Sequence, residues 1–239
     1  MKTKERVCLA VFLGSVEYLR AVDMQMQVCQ AKRQGFEEDV LLLLEHPPTI
    51  TIGRNGNWSH LLASDQELSS RGVGRFEVDR GGDITFHGPG QLVGYPILQL
   101  AREERDVRRY MRDLEETLIR LLANYGIIAA RQEGLTGVWT SHGKIAALGV
   151  HISRWITRHG FALNISTDLS CFDWIVPCGV SGRGVASMSS ILGLQVELRV
   201  AAEKFVCEFR SVFGRETIWV SEDEFKDRLS RYAREIAVA

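Results

Sequence analysis

Between residues 127 and 165 the chain offers four short strand-like pieces in a row, 127–131, 136–140, 144–151 and 160–165, with no helical stretch between them. A doubly wound parallel sheet needs strands that alternate with helices, so this run excludes it. The rest of the chain agrees. Residues 6–13 read as a strand, and Ser15 is placed to cap a helix that runs to about Gln34 and stops at Gly35. The apolar run 40–44 is too short for a helix and reads as a buried strand. Pro47 and Pro48 then force a turn before the extended "TITIG", and 75–79 and 91–100 are further strands. One helix is unmistakable. Asp106 caps it, Tyr110, Leu114, Leu118, Leu121 and Leu122 keep helical spacing, and Gly126 ends it. Two amphipathic helices, near 196–213 and 221–236, close the chain. The expectation is an α+β fold with a mixed, largely antiparallel sheet and flanking helices. It forms one catalytic domain over 1–239, in which the part from about 190 onward is either a small helical lobe or packing on the sheet.

Glycine concentrates in one place. "RGGDITFHGPGQLVGYP", residues 80–96, lacks the lysine of a phosphate loop and the third glycine of a dinucleotide fingerprint, and a strand rather than a helix follows it. Gly81 and Gly82 let the main chain approach something closely, and Gly88-Pro89-Gly90 fixes where His87 points. The segment is either a tight hairpin around a core histidine or the wall of a ligand site.

A second cluster lies downstream. Lys144 heads the small, apolar strand "IAALGV". Burial disfavours an ammonium, so a lysine there is either a usable base or an edge residue whose stem reaches water. Cys178 stands between Pro177 and Gly179, a setting that exposes a thiol and frees the N–H groups after it. The alternative is an ordinary small hydrophobe, which is how Cys171 reads. His142, His151, His159, Cys171 and Cys178 fall in one stretch, but their spacing matches neither zinc fingers nor HExxH. Five cysteines with no CxxC pair point to a reducing, cytoplasmic setting. The N-terminus reads as neither a signal peptide nor a membrane span. A net charge of -1 gives no reason to expect nucleic acid.

Taken together, "EHPPTITIGR" (45–54), "RGGDITFHGPGQLVGYP" (80–96), "GKIAALGVHISRWITRHGFALN" (143–164) and "PCG" (177–179) resemble the lipoyl(octanoyl) transferase family over most of the chain to about residue 190. The resemblance implies a fold like the catalytic domains of biotin and lipoate protein ligases. It implies transfer of an octanoyl group from octanoyl-acyl carrier protein to a lysine of a lipoyl domain, such as the glycine cleavage H protein or a 2-oxoacid dehydrogenase E2 subunit. The expectation is of no cofactor, no metal, no nucleic acid and no membrane. Cys178 resembles the acyl-bearing nucleophile and Lys144 its acid/base partner. Arg80, Gly81, Gly82, Asp83, Ile84, Thr85, Phe86 and His87 resemble one wall around the acyl chain, and Ala147, Leu148, Gly149, Gly160, Phe161 and Ala162 the other two. His87 would orient the acceptor lysine or the loop. One departure is visible: Ala186 stands where such sequences often carry threonine, with the Ser187 hydroxyl next to it. Seven or so carbons buried at about 0.8 kcal/mol each give roughly 5 to 6 kcal/mol of gross binding. Rival readings are an ATP-dependent lipoate ligase and a non-catalytic lipoyl-domain binder. Arg102, Arg105, Arg108, Arg109 and Arg112 form either a docking surface for an acidic carrier or a solvated helix face.

Overall fold

The computed structural model describes residues 6–176 and 184–238. Strand β1 (Arg6–Ser15) leads into helix α1 (Tyr18–Gln34), which ends at Gly35 with φ at 110°. Ser15 does not cap α1. It pairs with Glu45 at the end of β1, and Glu17 takes the cap position with no side-chain hydrogen bond. Strand β2 (Asp39–Glu45) carries four successive leucines and is buried along almost its whole length, as such a run requires. Strand β3 (Thr49–Ile52) follows the proline turn. Helix α2 (Asp65–Ser70) starts from a Ser64–Glu67 capping box. Then come β4 (Gly74–Glu77), β5 (Ile84–His87) and β6 (Gln91–Ile97). Helix α3 (Val107–Ala123) is capped by Asp106, whose carboxylate accepts from the N–H groups of Arg108 and Arg109. The uninterrupted strands are β7 (Ala130–Gln132), β8 (Leu135–Thr140), β9 (Gly143–Ser153) and β10 (Ile156–Asn164). Helix α4 (Met188–Leu192), helix α5 (Leu198–Phe213), strand β11 (Arg215–Trp219) and helix α6 (Glu222–Val238) complete the chain.

Among the described residues there are two sheets. The larger has eight strands in the order β11-β1-β2-β6-β10-β9-β8-β7; β11, β1 and β2 run parallel and every later pair is antiparallel. The mixed, mainly antiparallel α+β architecture is the one the sequence pattern predicts. The smaller sheet, β4-β3-β5, was not foreseen, nor were α4 and β11. Because β11 pairs with β1, the C-terminal stretch builds an edge of the main sheet. A buried ion cluster fixes it there: Arg215 Nε donates to Asp39 Oδ2 at 2.9 Å, and Lys32 Nζ meets Asp39 Oδ1 at 2.8 Å.

Helices cover both faces of the main sheet. On one, Leu114, Leu118 and Leu121 of α3 pack with Phe205 and Phe209 of α5, and the rings of Phe161 and Phe205 lie 4.4 Å apart. On the other, Ala21, Met24 and Val28 of α1 and Phe225 of α6 pack on Val93, Tyr95 and Ala162. The small sheet has its own core of Ile50, Ile52, Ile84 and Phe86. Among the described residues no helix is long and apolar enough to cross a membrane.

Candidate active site

The 80–87 segment lies against the main sheet on the face that carries α1, and a cleft opens between them. Its floor is Val93 and Tyr95 of β6, with His159, Gly160, Phe161 and Ala162 of β10. Ala147, Leu148 and Gly149 of β9 form one side; Arg80, Gly82, Asp83, Ile84, Thr85 and His87 form the other. The cleft is narrow and partly open to solvent. A second, smaller cavity shares Thr85, Ala147 and Ala162 with it and extends to Lys144, Gln91, Asn164, Phe172 and Val185.

Of the wall residues read from the sequence, all but Gly81 and Phe86 line this cleft. Strand alternation sends Phe86 away from it, edge-on to Phe172 and Trp174 in the small-sheet core. Gly81 serves as a tie: its N–H donates to Val150 O at 2.9 Å. The glycines matter less as slot lining than as close backbone contacts. A Cβ on Gly149 would stand 2.7 Å from Gly81 O, and one on Gly160 would stand 2.2 Å from Gly94 O, so neither position tolerates a side chain.

Arg80 and His87 are both turned inward. Arg80 Nη2 donates to the carbonyl and the hydroxyl of Thr51, each at 2.9 Å. The Thr51 hydroxyl proton is then directed at His87 Nε2, 3.3 Å away, and His87 Nδ1–H donates to Gln91 Oε1 at 2.8 Å. Burial, reinforced by His46 and Arg80, pushes His87 down to about 3, so the ring is neutral, as this bonding requires. With both nitrogens engaged, His87 holds the loop. His46 lies beneath it, fully buried; Nδ1–H donates to Val16 O at 2.6 Å, Nε2 accepts from Tyr95 at 2.8 Å, and burial lowers it to about 4.

His159 is the strained residue of the site. Its φ is 56°, a left-handed conformation costly for a residue with a Cβ. The neighbouring ladder is interrupted at Pro96, which has no N–H. The Thr157 hydroxyl mends the gap, donating to Pro96 O at 2.7 Å and accepting from Leu98 N at 2.9 Å. The His159 N–H turns out of the ladder to Gln25 Oε1 at 2.8 Å, and its ring donates from Nε2 to Asp79 Oδ1 at 2.8 Å. Burial lowers His159 to about 4. Burial would raise Asp79, but hydrogen bonds from His159 and Arg158 outweigh it and hold the carboxyl at about 2. Asp79 thereby pins the start of the 80–87 wall to β10. Among the described residues no group of three or more His, Cys, Asp or Glu is placed to hold a metal ion.

Lys144 begins β9, half-buried, with Nζ 4.8 Å from the centre of the Trp139 ring. Its main chain is held on both sides: Lys144 N–H donates to Gly184 O at 2.9 Å, and Lys144 O accepts from Ala186 N–H at 3.0 Å. Cys178 lies outside the described residues; Gly184 follows it by six positions in the sequence. Cys171 sits half-buried beside the small-sheet core, and burial raises its thiol, which leaves it a poor nucleophile. The Ser187 hydroxyl caps α4 by accepting from Ser190 N at 3.2 Å, so beside Ala186 it serves the helix.

Residues 17–210 match the model of the lipoyl protein ligase A/B catalytic domain. The chain belongs to that family. The octanoyltransferase of Solibacter usitatus (strain Ellin6076) is 50% identical over 213 residues, which cover 89% of this chain and 96% of that protein. Among solved structures, the bipartite lipoate protein ligase studied with its E2 lipoyl domain from Thermoplasma acidophilum superposes with a TM-score of 0.74 at 15% identity, covering 95% of this chain and 91% of that one. A lipoate-protein ligase A bound with ATP gives 0.73 at 14% identity, covering 95% and 93%. At such identities these structures share this chain's fold.

Proposed function

We propose that this octanoyltransferase of lipoate biosynthesis takes an octanoyl group from octanoyl-acyl carrier protein, holds it as a thioester on Cys178, and passes it to a lysine of a lipoyl domain. The acceptors are glycine cleavage H protein and 2-oxoacid dehydrogenase E2 subunits, the setting is the cytoplasm, and one catalytic domain does the work. The observation that carries the reading is the apolar cleft whose walls continue into the cavity lined by Lys144. The half-identical octanoyltransferase relative supports it.

In the first step the Lys144 amine takes the thiol proton of Cys178, and the thiolate attacks the thioester carbonyl of the donor. The bond to the carrier sulfur breaks, and that sulfur leaves with the proton held on Lys144. In the second step the acceptor amine attacks the new thioester, an amide forms, the bond to Cys178 breaks, and Lys144 conveys the amine proton to the departing sulfur. Thioester exchange is nearly isoenergetic and amide formation from a thioester runs downhill, so no nucleotide is needed.

The test is intact-mass analysis after incubation with octanoyl-acyl carrier protein and no ATP, followed by peptide mapping. One octanoyl group on the Cys178 peptide, retained in Cys171→Ala and lost in Cys178→Ser, is the expected result. Transfer to a lipoyl domain that strictly requires ATP would make the chain a ligase, and neither loading nor transfer would make it a binder.

The shared wall gives a further expectation. Ala147→Leu puts about three carbons where the two cavities meet, displacing two or so methylenes of the acyl chain at about 0.8 kcal/mol each. The KM for an octanoyl donor should rise by roughly 10-fold or more, while a butyryl donor is used as well as by the unaltered enzyme. Equal KM changes for both donors would place the chain elsewhere.

A further inference from the structure

Asn164 closes β10, is buried, and lines the same cavity as Lys144. The two ends of its amide are committed in opposite directions. Oδ1 accepts from Gln91 Nε2 at 2.9 Å, and Nδ2 donates to Ala186 O at 3.0 Å. The Ala186 N–H donates in turn to Lys144 O, and a single parallel bridge joins Lys144 to Val185. One side-chain amide thus grips the short segment that runs along the Lys144 backbone.

Behind Asn164 the bonding has a single sense. Gln91 Oε1 is occupied by His87 Nδ1–H, and His87 Nε2 by the Thr51 hydroxyl. Neither amide can flip without leaving buried polar atoms unmatched. If this space needed only filling, leucines would do it with no polar atoms to satisfy. The network has another property that filler lacks: it runs unbroken from the cleft wall to the main chain at Lys144.

We propose that Asn164 is a positioning residue for Lys144: through Ala186 it fixes the height of the Lys144 backbone, and so of its amine, relative to the cleft. The inference rests on the reading of Lys144 as the acid/base group. Misplacing a reacting group by about 1 Å costs on the order of 100-fold in rate, so a lost Ala186 bond should appear in kcat and leave donor binding alone.

The experiment is a mutant cycle on the full-length chain, read by steady-state transfer and by single-turnover octanoyl loading. Asn164→Leu should lower kcat by roughly 10- to 100-fold with the donor KM within about 2-fold. Asn164→Asp retains the acceptor for Gln91 and nearly the same volume, but cannot donate to Ala186 O; it should fall as far, and it serves if the leucine variant does not fold. The decisive arm is the Lys144→Ala background. There an Asn164 substitution should cost less than about 3-fold of the residual rate, because its effect passes through the missing amine. Full-sized losses in that background, or near-normal kcat in Asn164→Asp, would overturn the inference and make Asn164 a structural residue. Unimpaired turnover by Lys144→Ala alone would instead sink the reading of Lys144 itself, so the two failures are distinguishable.

Discussion

Lys144→Arg is expected to transfer octanoyl groups at least about 10³-fold more slowly than the unaltered enzyme while melting at nearly the same temperature. The substitution keeps most of what the lysine does structurally. An arginine at the head of β9 retains the pairing with Gly184 and Ala186, which is main chain only, and it can lie over the Trp139 ring as the ammonium does. What it cannot do is give up its proton near neutral pH. Both proposed steps need a group that accepts a proton and later returns it, so both should fail. Single-turnover loading separates the steps: if arginine blocks only the second, octanoyl mass still accumulates on the enzyme but never reaches the acceptor. Turnover within 10-fold of normal would remove Lys144 from proton transfer and leave it a charge on a strand edge.

How much of this could be read from the chain follows from the range of the forces involved. The strand run from 127 to 165, the α3 helix and its Asp106 cap are local patterns, and they stand close to where the sequence puts them, except that the first strand begins at Ala130 rather than 127. The cleft walls were legible through the family resemblance, which names 80–87, 147–149 and 160–162 together, although the sequence could not tell which face each residue shows. Phe86 illustrates this: one step of strand alternation sends it into the small-sheet core while Thr85 and His87 face the cleft. The small sheet itself was hidden, since the four residues of β5 sit among glycines and carry too little pattern to announce a strand. Strand β11 was hidden for the same reason, as five residues between two helices. Gln91 and Asn164 carried no signal at all. Gln91 opens β6 and Asn164 closes β10, and they are 73 positions apart in the chain, so their bond exists only in the fold. Of the arginine run, Arg112 pairs with the buried Glu115 at 2.7 Å, Arg109 with Asp113 at 3.8 Å, and Arg105 lies over the Trp155 ring. Helix α3 covers the sheet face opposite Val93, Tyr95 and Ala162.

Mild acid should unfold this protein, through the histidines beneath the cleft. His46 and His159 are pushed down to about 4 and His87 to about 3, by burial in each case. In the unfolded chain all three titrate near 6.5. The sign is fixed by which state holds more protons. Between about pH 6.5 and 4 the unfolded chain binds protons that the folded one refuses, so stability is complete above 6.5 and drains as pH falls. The loss comes to about 1.4 kcal/mol per pH unit for each histidine, or roughly 3 to 5 kcal/mol for His46 and for His87 by the acid end. Against a total stability of about 5 to 15 kcal/mol for a typical domain, that is enough to unfold it near pH 4 to 5. Asp79, held at about 2, loses its contribution only below the usual carboxylate range and adds nothing within this window. Urea midpoints measured from pH 7 to 4.5 should therefore fall steeply, and His46→Gln, less stable at pH 7, should flatten the slope by about 1.4 kcal/mol per pH unit. A flat wild-type profile, or an unchanged slope in the variant, would mean that these rings admit protons in the folded state. His46 reaches the cleft floor through Tyr95 and His87 lines the cleft directly, so the shape of the cleft and the acid stability of the fold rest on the same neutral imidazoles.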